Sequence, residues 1–187
     1  MSEFLRTLAA HRETIAALDG LADAIEAIGR RLGGIAAGGG AIFWAGNGGS
    51  AAESQHLAAE LVGRFEGRDR PGSRSFALTT DTSVLTSIGN DLGFDRVFAR
   101  QVESVCREGD ALVALSTSGA SENVTAAVRA AGPRGVYTVG LSGGDGGELA
   151  RIADDAIVVP GKSAARIQEA HLVIGQYWCE AIYEAME

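Results

Sequence analysis

Residues 41–65, AIFWAGNGGSAAESQHLAAELVGRF, carry the pattern from which the rest of the chain can be read. A short apolar run, AIFWA, meets the loop GNGGS, and a segment with apolar residues at helical spacing follows. Projecting Ala51 to Phe65 at about 100° per residue puts Leu57, Ala58, Leu61, Val62 and Phe65 on one side. Glu53, His56, Glu60 and Arg64 gather on the other. The same order of run, loop and helix recurs twice. ALVAL (111–115) leads into STSGAS and a helix over Glu122 to Ala131, and VYTVG (136–140) leads into LSGGDGG and a helix over Glu148 to Ile152. Such alternation predicts an α/β fold, a parallel sheet covered by helices on both faces.

Outward from these units, SFALT (75–79) and AIVV (156–159) supply two more strands, and Val84 to Ile88 and Arg96 to Val105 read as helix. Leu5, Leu8, Ile15, Leu18, Leu21, Ile25 and Ile28 mark one or two N-terminal helices with a break at Gly20. A last helix runs from about Ser163 to Met186 after Pro160. With no low-complexity linker and no long repeat, residues 1–187 read as a single domain, its helical segment 1–38 packing on the sheet or at an oligomer interface.

Composition narrows the function. Apolar residues make up 46% and charged residues 21% of the 187, which excludes disorder. Sixteen Lys and Arg against 24 Asp and Glu give a net charge of −8, with no basic tail, which argues against nucleic acid as a partner. No apolar run reaches the roughly 20 residues of a membrane span. The N-terminal MSEFLRTLAAHRE lacks the form of a secretory signal. Two cysteines far apart, Cys106 and Cys179, fit a reduced cytoplasmic protein.

Two loops have the chemistry of anion sites. Gly46-Asn47-Gly48-Gly49-Ser50 stands between a strand and a helix, where backbone N–H groups of the helix start face the crevice above the sheet. Ser116, Thr117, Ser118 and Ser121 bring four hydroxyls to the end of another strand. Such groups can bond phosphate oxygens without a cation, and open sheets bind ligands at the carboxyl ends of their strands. Two nucleotide signatures fail. Gly46-x-Gly48-x-x-Ala51 resembles a dinucleotide fingerprint, but the acidic residue expected about 20 positions on has no good candidate. Glu66 and Asp69 fall in a polar loop, and Asp81 comes too late. Gly161-Lys162-Ser163 resembles the end of a phosphate-binding P-loop, but Ala156 stands where its first glycine belongs.

His56 and Glu60, at i and i+4, lie one helical turn apart and can clasp one metal ion or one substrate. In the last helix, His171 falls inside the apolar stripe of Ile167, Ala170, Ile174, Trp178, Ala181, Ile182 and Ala185 and reads as a packed core histidine. Gln168 and Gln176 project elsewhere.

Five segments, GNGGSAAESQHLAAELVGRF, TSIGNDLGF, STSGASENV, GLSGGDGGELA and ARIQEAHLVIG, resemble in sequence and order the sugar isomerase (SIS) domain family, and within it the phosphoheptose isomerases. The resemblance implies a flavodoxin-like three-layer fold with a five-stranded parallel sheet, and a homotetramer with active sites between subunits. It implies interconversion of sedoheptulose 7-phosphate and D-glycero-D-manno-heptose 7-phosphate in the supply of nucleotide-activated heptose. Phosphate is expected on Ser116, Thr117, Ser118 and Ser121, with further substrate contacts from Asn47, Gly48, Ser50, Arg64, Asn90, Asp91 and Gln168. Glu60 is expected to shuttle a proton between C1 and C2 through an enediolate. A zinc ion is expected on His56, Glu60, Gln168 and the residue eight positions further. In the family that residue is a histidine and the second acid/base; here it is Gln176, whose amide can ligate or hydrogen-bond but cannot transfer a proton near neutral pH. Two alternatives follow: a noncatalytic relative that binds a replication initiator or senses a sugar phosphate, or an isomerase of another phosphosugar.

Overall fold

The computed structural model describes residues 1–65 and 71–187. Glu66 and Asp69, set aside as acids of a dinucleotide fingerprint, lie outside the described residues. Five strands, β1 (Ile42–Gly46), β2 (Ser75–Ala77), β3 (Ala111–Ser116), β4 (Tyr137–Gly143) and β5 (Asp155–Val159), form one parallel sheet in the order β2-β1-β3-β4-β5. This is the flavodoxin-like order. From β1 the chain crosses outward to β2 and then returns to add β3 on the other side. The crevice opened by that reversal lies above the ends of β1 and β3, where GNGGS and STSGAS begin.

Strand side chains alternate between two apolar layers, as the pleat requires. Ile42, Trp44, Val113 and Leu115 face α2 (Ala22–Ala37), α3 (Gly49–Val62) and α8 (Ala164–Ala185). Phe43, Ala45, Leu112 and Ala114 face the layer of α4 (Thr82–Asp91), α5 (Ala99–Val105), α6 (Glu122–Ala131) and α7 (Leu149–Ile152). The N-terminal periodicity is interrupted as expected. α1 (Glu3–Ala16) ends in a 3-10 turn, Ala17–Leu21, before α2. α1 is tied to α8 by His11 Nδ1 on Glu169 Oε2 at 2.7 Å and by the Arg166 guanidinium donating to Thr7 O.

The elements differ from the sequence reading in several places, among them β2, which stops at Ala77 where a strand over 75–79 was expected, and α3, which begins at Gly49 instead of Ala51. β4 runs on to Gly143, so Leu141 and Ser142 pair with Ile157 and Val158 and are buried in the sheet rather than looped. The segment Arg96–Val105 divides into a 3-10 turn, Phe94–Arg96, and α5. Val62, placed on the apolar face of α3, is its last residue and is 54% exposed, because the helix ends before its side chain meets the core.

Candidate functional site

Two loops meet at the crevice above β1 and β3. Gly48, with φ of 55°, turns the chain into α3, and a side-chain cap is absent there. Asn47 and Asn123 exchange a pair of amide hydrogen bonds, each 2.8 Å, which fastens the first loop to the first turn of α6. In the second loop Ser116 Oγ lies 2.9 Å from Ser121 Oγ and 3.5 Å from Ser118 Oγ. Ser121 is the N-cap of α6, yet its hydroxyl does not cap the helix. The hydroxyls are therefore collected beside a helix N-terminus, a favourable place for an anion. Gly119, with φ of 63°, lets the loop after β4 press against it, since a Cβ there would fall 2.0 Å from Gly146 O. Leu149 N donates to Gly119 O, and the hydroxyl-bearing loop is braced from behind.

The second grouping lies along α3 and α8. The Gln176 amide is 2.6 Å from His56 Nε2, and Glu60 Oε1 is 3.4 Å from the same nitrogen. Glu60 and Gln176 line a cavity of about 470 Å³ together with Phe65, Tyr177 and Glu180. Tyr183, fully buried, donates its hydroxyl to Glu60 O and accepts from Phe65 N, holding the end of α3 in place.

The remaining candidates are distributed unevenly. Ser50 is buried at the start of α3, and the Gln168 amide fills the space a side chain at Gly49 would need. Gln168 thus sits at the opposite end of α3 from Glu60. Arg64 is exposed beyond the helix end. Asn90 and Asp91 are exposed on α4, with Asn90 Nδ2 donating to Asp91 Oδ1 at 2.7 Å. His171 is a core residue, as its position in the stripe implies. Its Nε2 lies 3.1 Å from Ser142 O, and burial pushes the imidazole down to about 4. Asp81, too late in the chain for the fingerprint's acidic residue, caps α4 by accepting from Val84 N.

Two residues escaped the sequence reading, and a third was read without its environment. Asn123 and Tyr183 matter through partners 76 and 118 to 123 positions away, and nothing local announces such contacts. Glu53 was visible as an acid on the polar face of α3. Its burial, which pushes the carboxyl up to about 7 against a hydrogen bond from Ser50 that lowers it, depends on tertiary packing.

Among the described residues no cluster of three or more His, Cys, Asp or Glu stands ready for a metal. One imidazole, one carboxylate and one amide do converge at His56, Glu60 and Gln176. That set fits a divalent cation held chiefly by two strong donors, with the amide oxygen as a neutral third. A cation entering there must replace the contact between His56 and Gln176.

The family description "SIS domain" matches residues 3–143, and the chain belongs to that family. The phosphoheptose isomerase of Sulfurimonas denitrificans is 56% identical over 138 residues, covering 74% of this chain and 70% of the relative. That of Geobacter metallireducens is 48% identical over 185 residues, covering 98% and 97%. Among solved structures, phosphoheptose isomerase GmhA from Neisseria gonorrhoeae superposes with a TM-score of 0.81 at 41% identity, covering 97% of this chain and 95% of that one. A phosphoheptose isomerase from Francisella tularensis reaches 0.89 at 32% identity, covering 98% and 100%. Within the SIS family the chain therefore groups with the phosphoheptose isomerases.

Proposed function

We propose that this chain is an aldose–ketose isomerase that interconverts sedoheptulose 7-phosphate and D-glycero-D-manno-heptose 7-phosphate. The observation that carries the reading is a carboxylate, Glu60, lining a cavity beside His56 in a chain whose β3 loop gathers hydroxyls for an anion. Ser116, Thr117, Ser118 and Ser121 hold the phosphate, and Asn47, Gly48, Ser50, Arg64, Asn90, Asp91 and Gln168 contact the sugar. Glu60 takes the C1 proton of the open-chain ketose as the C2 carbonyl becomes an enediolate oxygen. It then returns the proton to C2 while the C1 carbonyl forms. The accompanying transfer between O1 and O2 falls to a water, a substrate hydroxyl or another side chain, because the Gln176 amide cannot carry it. Gln176 instead orients His56 and the sugar by hydrogen bonds.

His56, Glu60 and Gln176 of one protomer would hold a zinc ion, which would supply polarisation of the substrate carbonyl; Gln168, packed against Gly49 at the other end of α3, would join such a set only from a partner protomer. We assign the active form to a homotetramer with sites between subunits. Along α3, Gly49 and Glu60 are separated by roughly 16 Å of helix, longer than an extended heptose phosphate from carbonyl to phosphorus. A phosphate on one protomer's hydroxyl loop is therefore better matched to a carboxylate from a partner. Phe76 on edge strand β2, with Phe94 and Phe4, leaves apolar surface exposed for such contacts. The enzyme works in the cytoplasm, supplying nucleotide-activated heptose. Buried free thiols at Cys106 and Cys179 accord with that compartment, and among the described residues no helix is long and apolar enough to cross a membrane.

The test is incubation with five-, six- and seven-carbon ketose phosphates. Conversion of the heptulose phosphate to its aldose, faster than the shorter sugars, supports the reading; no conversion of any of them, with or without zinc, refutes it.

A further inference from the structure

The loop joining β5 to α8 carries the only lysine of the chain, Lys162. Its Gly-Lys-Ser sequence does not serve a P-loop, since Ala156 lies within β5. Three loops leave the sheet side by side at the ends of β3, β4 and β5, and they enclose a cavity of about 360 Å³. Thr117 and Ser118 line it from the first loop, Gly144 and Asp145 from the second, and Lys162 from the third. Two of the hydroxyl-bearing residues assigned to the phosphate thus share a cavity with a primary ammonium.

The surrounding charges leave that ammonium available. Among the described residues Lys162 forms no ion pair, whereas Arg166, one turn further on, is engaged by Glu169 and Thr7 O. Asp145 Oδ1 accepts from Gly147 N at 3.0 Å, which turns one carboxylate oxygen toward its own backbone. A dianion approaching a chain of net charge −8 meets long-range repulsion, which a cation beside the hydroxyls reduces. An ammonium on a flexible four-carbon stem can reach it as a compact point charge.

We propose that Lys162 is a further substrate-binding residue, donating from its ammonium to a phosphoryl oxygen of the sugar phosphate held at Thr117 and Ser118. This rests on the phosphosugar reading given above and extends it to the residue that selects a phosphorylated over an unphosphorylated sugar.

Because the chain has one lysine, reductive methylation with ¹³C-formaldehyde labels only Lys162 and the N-terminal amine, and a Lys162→Gln variant assigns the two signals. The labelled protein is titrated with sedoheptulose 7-phosphate while calorimetry follows binding independently. The Lys162 resonance is expected to shift with the same Kd that calorimetry gives. Lys162→Gln is expected to raise KM about five-fold at low salt with kcat altered by less than about two-fold, and Lys162→Arg to restore most of the loss. The KM difference should shrink at about 0.5 M salt, where exposed charges are screened. Heat of binding with an unmoved lysine signal and an unchanged KM overturns the role of Lys162 alone. Absence of heat overturns the phosphosugar reading and this inference with it.

Discussion

A glutamine at position 176 changes what the groups beside it can do with a proton. It leaves Glu60 as the titratable oxygen acid at the end of α3 that lines the cavity with His56 alongside. Glu60→Gln should therefore lower kcat about a thousand-fold with the melting temperature kept, a split that steady-state kinetics and thermal unfolding read together. Gln176→His replaces a neutral amide by an imidazole and should tighten zinc binding at least about ten-fold, measured by competition with a chromogenic chelator. Two buried groups set an opposing pH dependence. The His171 imidazole is held down near 4 while the unfolded chain titrates near 6.5, so the stability it contributes is present above 6.5 and lost as pH falls toward 4. The Glu53 carboxyl is held up near 7 against 4.5, so its contribution is present below 4.5 and lost as pH rises through 7. Between about 4.5 and 6.5 the two slopes oppose. Melting temperatures of Glu53→Gln should climb with pH across that window, and those of His171→Asn should fall. At this scale the pairing of His56 with Glu60 was legible, because i and i+4 share a helix face. The approach of Gln176 to His56, 120 positions away, was not.

The closeness of α3 and α8 makes that approach possible. Gly175 sits against Leu57, and a Cβ there would fall 2.4 Å from Leu57 Cδ1. The neighbours of this contact in sequence are Gln176 and His56, so the same missing side chain that lets the helices touch brings the polar pair within 2.6 Å. Gly175→Val should cost about 3 kcal/mol by overpacking. It should also separate His56 from Gln176, with denaturant unfolding and the histidine NMR signals as the readouts. On the other side of α8, Gly33 meets Ala185 and Gly29 meets Trp178, which lets α2 lie close. Helix and strand positions followed from the alternation of apolar runs with Gly- and Ser-rich loops. Boundaries were less readable where tertiary contacts extend or stop an element. β4 continues through Ser142 and Gly143 because β5 pairs with it. α3 stops at Val62 with its last apolar side chain in solvent.

The whole molecule is organised by one reversal of strand order. Because β1 lies between β2 and β3, the loops after β1 and β3 flank a crevice, and the reciprocal bonds of Asn47 and Asn123 close its base. The parallel sheet was legible from the repeated unit; its strand order came from the family resemblance, since periodicity says nothing of which strands pair. The proposed assembly was equally hidden from periodicity, and the exposed Phe4, Phe76 and Phe94 are the apolar side chains on which it would form. Light scattering should give four times the 19.2 kDa chain mass, and a Phe94→Asp substitution should reduce that mass and the isomerase activity together. The most direct measurement of the central claim is NMR of the reaction run in D₂O with sedoheptulose 7-phosphate, comparing the natural protein with Glu60→Gln. A proton path through Glu60 gives aldose whose C2 hydrogen comes from C1 of the ketose, diluted by deuterium only as far as the protonated carboxyl exchanges with solvent, and almost no aldose from the variant. Aldose formed at an undiminished rate by Glu60→Gln would contradict it.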